Sequence, residues 1–144
     1  DEPTSALDVS VQAQIINLLK DLQAELKVSY LFITHNLPVA DYLAQRIAVM
    51  YLGRIVEIGS SAEIMRQPAH PYTQALLAAV PGLDRQHVAA PALHGDMASA
   101  ANPPMGCHFH PRCPHVMDIC RSQYPTMTQL STTHFVHCHL LQSH

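Results

Sequence analysis

Apolar side chains recur at helical spacing early in the chain. After Asp8 they fall every three or four positions, at Val11, Ile15, Leu18, Leu22 and Leu26. This spacing places them on one face of a helix, and aspartate is a residue type that caps helix N-termini. The pattern therefore predicts a helix from about Asp8 to Leu26.

The next apolar positions predict a strand, a helix and a hairpin. Tyr30–Ile33 is a continuous apolar run, typical of a strand whose sheet is covered on both faces. Asn36 with Pro38 predicts a helix cap followed by an early proline, and the helix should end near Ala44. The runs 47–52 and 55–58 flank Gly53 and predict two strands joined as a hairpin.

Two short helices should follow the hairpin. One begins at Ser60 or Ser61 and is ended by Pro68, and the other runs from about Pro71 to Ala79. The order of helices and strands predicts an α/β fold with a mostly parallel sheet and an added antiparallel hairpin.

Composition divides the chain near residue 80. Seven of the eleven prolines and all four cysteines follow that point. We therefore expect an α/β portion over 1–80, a linker over 81–104 and a small irregular cysteine-rich extension over 105–144.

Charge and length exclude several classes of protein. The 144 residues carry a net charge of −3, so no basic surface is expected for a nucleic-acid backbone. The chain contains no run of roughly 18 apolar residues, which a membrane span would need. No signal peptide is evident. Because Asp1 lies directly inside a motif, we expect the chain to be a piece of a longer protein.

Two adjacent carboxylates and a histidine form the first candidate site. Asp1 and Glu2 precede the capped helix, and His35 follows the predicted strand. Two such acids can divide the work, since one can hold hydrated magnesium while the other polarises a water molecule. Ligands of open α/β sheets sit beyond the carboxyl ends of strands, where His35 would lie. Acidic residues before a helix can equally serve only as caps.

Four cysteines form the second candidate site, with the spacing Cys-x5-Cys-x6-Cys-x17-Cys. Disulfides fit poorly because the rest of the chain resembles a cytosolic protein. Zinc sites usually contain a tighter pair of cysteines, whereas iron–sulfur clusters use four thiolates. Spacing alone leaves a metal site and inert thiols equally open.

These motifs resemble those of ABC ATPases. Residues 1–8 (DEPTSALD) resemble the end of the Walker B motif with the D-loop, and residues 33–37 (ITHNL) resemble the switch-histidine loop. Residues 49–59 (VMYLGRIVEIG) resemble the hairpin that follows in these proteins. Residues 70–77 (HPYTQALL) resemble more narrowly the oligopeptide and dipeptide importer ATPases, and the similarity continues to the last cysteine.

The resemblance implies specific roles. Asp1 would hold Mg²⁺ through water, Glu2 would be the catalytic carboxylate, and His35 would contact the γ-phosphate of ATP. Ser5, Ala6 and Asp8 would belong to the D-loop, which faces a second ATPase subunit. The implied fold is the C-terminal part of a P-loop NTPase core.

The C-terminal extension also resembles that of peptide importers. Some members bind a [4Fe–4S] cluster through this cysteine pattern, and zinc is the alternative metal. The resemblance thus implies four metal ligands, Cys107, Cys113, Cys120 and Cys138.

The chain also lacks motifs that an ABC ATPase needs. It contains no Gly-x-x-x-x-Gly-Lys-Ser/Thr loop and no Leu-Ser-Gly-Gly-Gln signature. We therefore expect the chain alone to be inactive, although its parent protein would be an ATPase. The alternatives are a metal-binding structural or regulatory module and an inactive truncated product.

The resemblance further implies partners and a location. The parent subunit would pair with a second ATPase subunit, identical or different, and with transmembrane permease subunits. It would lie at the cytoplasmic face of a bacterial inner membrane and drive peptide uptake by ATP hydrolysis. Neither nucleic acid nor a membrane span of its own is expected.

Overall fold

The helical spacing after Asp8 produces the predicted long helix. α1 spans Val9–Leu26, and the Asp8 side chain accepts a hydrogen bond from the Val11 amide. The computed structural model describes residues 1–3, 7–80 and 98–142. Ser5, Ala6 and most of the predicted linker therefore lie outside the described residues.

The chain divides into two compact units, Asp1–Gln45 and Arg46–His144. In the first unit, α2 spans Leu37–Leu43 and begins at Asn36, whose side chain accepts a hydrogen bond from the Val39 amide. Both predicted helices of this unit are thus confirmed. Their small core consists of Ile16, Val39 and Leu43, with Phe32 packed against it.

The strand predicted at Tyr30–Ile33 is wrong in the described structure. These residues form no strand, and Leu31 is 92% exposed. A strand needs a neighbouring strand to pair with, and the described part of the first unit contains no other strand. Only Phe32 of this run packs against the core.

The second unit begins with the predicted hairpin. β1 spans Arg46–Tyr51, β2 spans Arg54–Ser60, and they pair antiparallel. Leu52 (φ 43°) and Gly53 (φ 76°) form the turn between them. Positive φ at both central residues matches the twist of the flanking strands, which explains the preference for glycine there.

The predicted mostly parallel sheet is wrong. In the described residues the sheet has four strands in the order β1-β2-β4-β3, and every pairing is antiparallel. The two added strands come from the C-terminal region, where β3 spans Thr128–Gln129 and β4 spans Phe135–Val136. The run expected to supply a parallel strand, Tyr30–Ile33, takes no part in this sheet.

The described part of the second unit also contains three short α-helices and two 3-10 helices, His110–Arg112 and His139–Leu141. α3 spans Ser61–Arg66, α4 spans Pro71–Ala78, and α5 spans Asp118–Ser122. The first two confirm the predicted pair of helices. None of the helices in the described residues is long and apolar enough to cross a membrane.

An aromatic cluster joins the hairpin, α4 and the C-terminal region. Phe109 is 1% exposed and lies within 5.6 Å, between ring centroids, of Tyr51, His70 and Tyr72. Aromatic pairs at these distances stabilise a core beyond their area burial. The cysteine-rich region therefore contributes a central residue to the core of the second unit.

Candidate functional site

The structure brings Glu2 and His35 together. The Glu2 Oε1 atom lies 2.6 Å from His35 Nδ1, and both side chains are substantially exposed. Glu2 also donates its backbone N–H to the Ile33 carbonyl at 2.8 Å. Its φ of 41° is unusual for a residue with a Cβ. Two residues of the candidate site thus form a direct hydrogen bond on an accessible surface.

The residues next to His35 explain its position. Thr34 Oγ1 accepts the Asn36 N–H, and the Asn36 side chain in turn caps α2. These two hydrogen bonds fix the backbone conformation of the residues before and after His35. The histidine is therefore held at the junction of an irregular segment and a helix N-terminus.

The other predicted residues of this site take no part in the hydrogen bond between Glu2 and His35. Asp1 is exposed beside Glu2, and Asp8 caps α1 through its carboxylate. Ser5 and Ala6 lie outside the described residues.

Gly106 brings two of the four cysteines together. The Cys107 N–H donates to the Cys120 carbonyl at 2.9 Å. Gly106 has a φ of 70°, and a Cβ there would lie only 2.4 Å from that same carbonyl oxygen. Only glycine fits this close approach of the two segments.

The predicted metal-binding character of the extension is wrong for the described residues. They contain no group of three or more His, Cys, Asp or Glu side chains that could hold a metal ion, and all four cysteines are free. Burial raises the pKa of the Cys107 and Cys113 thiols, and it raises the pKa of Cys138 to about 12.

Sequence reasoning missed two carboxylates on the hairpin and the helix after it. Glu57 is fully buried and Glu63 accepts hydrogen bonds from several side chains. The capping box of Ser60 with Glu63 could have been read from the spacing Ser-x-x-Glu. Nothing in the sequence signals that Glu57 meets His134, which lies 77 positions later.

Part of this sequence matches a known protein family. Residues 56–120 match the family described as the C-terminal region of oligopeptide and dipeptide transporters. This stretch runs from within β2 to the third cysteine and includes the Phe109 core. This part of the chain is therefore similar to the C-terminal region of oligopeptide and dipeptide transporters.

Individual relatives extend the similarity to nearly the whole chain. The oligopeptide transport ATP-binding protein AppF of Bacillus subtilis is 47% identical over 97% of this chain. A putative peptide import ATP-binding protein of Brucella ovis is 49% identical over 96% of it. The chain thus corresponds in sequence to the C-terminal portion of these peptide-transport ATP-binding proteins. It spans about 44% of the length of each of these relatives.

Proposed function

We propose that this chain contributes catalytic residues to an ATP-hydrolysing subunit that powers peptide uptake. The observation that carries the proposal is the 2.6 Å contact between Glu2 and His35. The names of the relatives, which describe ATP-binding proteins of oligopeptide or peptide transport, support the same activity.

Glu2 and His35 would act on the terminal phosphate. Glu2 would orient or activate the attacking water as a general base. His35 would contact the γ-phosphate through Nε2, because Nδ1 is occupied by Glu2. The contact between them would keep the histidine ring oriented while the carboxylate acts on water.

Asp1 would hold Mg²⁺ through water. Magnesium in phosphate-transfer sites needs only one or two protein carboxylates, because the phosphates and water supply the other oxygens. An exposed single carboxylate such as Asp1 fits that requirement. Bound Mg²⁺ would neutralise charge that develops on the phosphate oxygens.

The remaining parts of the site would come from elsewhere. Ser5, Ala6 and Asp8 would form a D-loop that faces a second ATPase subunit, identical or different. The phosphate-binding loop would belong to the part of the subunit outside this chain. Transmembrane permease subunits would use the hydrolysis to move peptides, with the ATPase at the cytoplasmic face of a bacterial membrane.

Variants of the full-length subunit that contains this segment, assembled with its permease, test the proposal. We expect Glu2→Gln and His35→Ala to lower kcat of ATP hydrolysis by about a hundredfold or more, the size of a lost general base or phosphate contact. ATP affinity should change little, because neither residue would cradle the phosphates. Steady-state ATPase assays and nucleotide-binding titrations measure the two effects separately.

Glu25→Gln is the matched control, since it removes a carboxylate from an exposed position on α1. This variant should retain the parent kcat. If Glu2→Gln and Glu25→Gln hydrolyse ATP equally fast, Glu2 has no catalytic role and the proposal fails.

A further inference from the structure

The C-terminal hairpin has little backbone pairing with the rest of the sheet. β4 pairs with β2 at only two positions, and the His137 N–H donates to the Val56 carbonyl at 2.8 Å. β3 and β4 are themselves only two residues long. Such short strands are marginal without further contacts. The side chains of the hairpin must therefore contribute much of its attachment.

Glu63 binds the turn of this hairpin. Its carboxylate accepts hydrogen bonds from the Ser131 hydroxyl and from the Thr133 hydroxyl, the latter at 2.8 Å. The same carboxylate also accepts the Ser60 N–H and hydroxyl, which anchor it to the start of α3. These bonds hold the pKa of Glu63 at about 2, with the Ser131 hydroxyl as the largest cause. The carboxylate is thus charged at neutral pH.

Glu57 binds the next residue of the same turn. Its Oε1 atom lies 2.7 Å from His134 Nε2, inside a region where both side chains are buried. The backbone N–H groups of Ala69 and His70 complete the set of donors to this carboxylate. Glu57 therefore ties the turn to the segment that leads into α4.

Gly59 lies between the two carboxylates and leaves room for the turn. A Cβ at this position would meet the His134 ring at 3.2 Å and the Glu63 carboxylate at 3.3 Å. The absence of a side chain lets both groups approach the β2 backbone. The two carboxylates and the turn thus converge over one point of β2.

We infer that Glu57 and Glu63 form a carboxylate latch, which holds the Ser131–His134 turn and lets the β3–β4 hairpin open as a unit. An opened hairpin would uncover Val136, which is 0% exposed, and the outer edge of β2. A free strand edge can pair with another strand. The latch is therefore a conformational device.

Charge offers a selective way to open the latch. Thr133 is exposed, so its replacement need not disturb the core. Thr133→Asp would place a second carboxylate against Glu63, and like charges at this distance repel. The asparagine of Thr133→Asn has nearly the same shape as the aspartate but carries no charge. Glu63→Gln removes the carboxylate charge that would repel the new aspartate.

Amide hydrogen exchange of the full 144-residue chain, measured by NMR, tests the inference. We expect Thr133→Asp to speed exchange of the Leu130 and His137 amides by about tenfold, because local opening sets their exchange. Thr133→Asn should change it by less than about threefold. Adding Glu63→Gln to Thr133→Asp should return the exchange to the level of Thr133→Asn.

Amides of α4, such as that of Gln74, are the internal reference and should keep the parent rate. Equal exchange in Thr133→Asp and Thr133→Asn would show that Glu63 does not hold the turn. A uniform rise across the chain would show that the hairpin does not open as a unit. Either result overturns the inference.

Discussion

Single residues make the closest contacts between segments that lie far apart in the sequence. Gly106 sits where a Cβ would meet the Cys120 carbonyl, and Glu57 joins a strand, a loop and a turn through one carboxylate. The sequence marks such residues poorly, because a glycine or glutamate in isolation reveals nothing about what it will touch. The cysteines show the same limit, since their spacing left a metal site open that the described residues do not form.

Gly106→Ala should destabilise the chain more than Gly53→Ala. Both glycines have positive φ, and alanine there costs roughly 1–2 kcal/mol. A Cβ at Gly53 meets nothing within 4 Å, whereas one at Gly106 is 2.4 Å from a backbone oxygen. Overpacking adds about 1–3 kcal/mol at Gly106 only.

Urea unfolding of the two variants measures the difference. Gly53→Ala serves as the control for backbone strain without steric conflict. A free energy of unfolding that falls equally in both variants would show that the segments around Gly106 separate easily.

The protonation of one buried histidine should weaken the fold in acid. Burial, and secondly the charge of His137, lower the pKa of His70 to about 4. The unfolded ring binds a proton below its ordinary pKa of 6.5, whereas the folded ring stays neutral until about 4. Stability is therefore full above pH 6.5 and is lost as the pH falls toward 4, by up to about 3 kcal/mol.

His70→Asn isolates this contribution. Asparagine can still cap α4, where the His70 ring accepts the Tyr72 N–H, but it does not titrate. Chemical unfolding at pH 7.5 and pH 4.5 should show a smaller loss of stability in the variant than in the parent. An identical loss in both proteins would mean that His70 is protonated without cost in the folded state.

Helices and strands differed in how far the sequence specified them. The helices before residue 80 followed from local signals, namely apolar spacing and the capping residues Asp8, Asn36 and Ser60. The hairpin followed from its turn at Leu52 and Gly53. Tyr30–Ile33 has the composition of a strand, but pairing requires a neighbour that the described part of its unit does not offer.

Substitutions of Asp8 test how much the N-cap stabilises α1. Asp8→Ala removes the acceptor for the Val11 N–H and should cost about 1 kcal/mol of helix stability. Asp8→Asn keeps an oxygen in place and should cost clearly less. Circular dichroism during thermal unfolding compares the two variants, and equal melting curves would rule out a capping role for the aspartate oxygen.

The whole molecule combines a locally encoded framework with contacts between distant segments. The C-terminal region adds two strands to the hairpin, supplies Phe109 to its core and places its turn on two carboxylates. These contacts join residues up to 77 positions apart. They make the described C-terminal region part of the second compact unit.

The sequence by itself determined the helices before residue 80, the hairpin, and the resemblance to peptide-transport ATP-binding proteins. These features depend on neighbouring residues or on short motifs, whose physical preferences act locally. Only the tertiary structure decided the antiparallel sheet, the burial of Cys120 and Cys138, and the carboxylate latch. Strand order, burial and long-range hydrogen bonds depend on which distant segments meet, and no local pattern specifies that meeting.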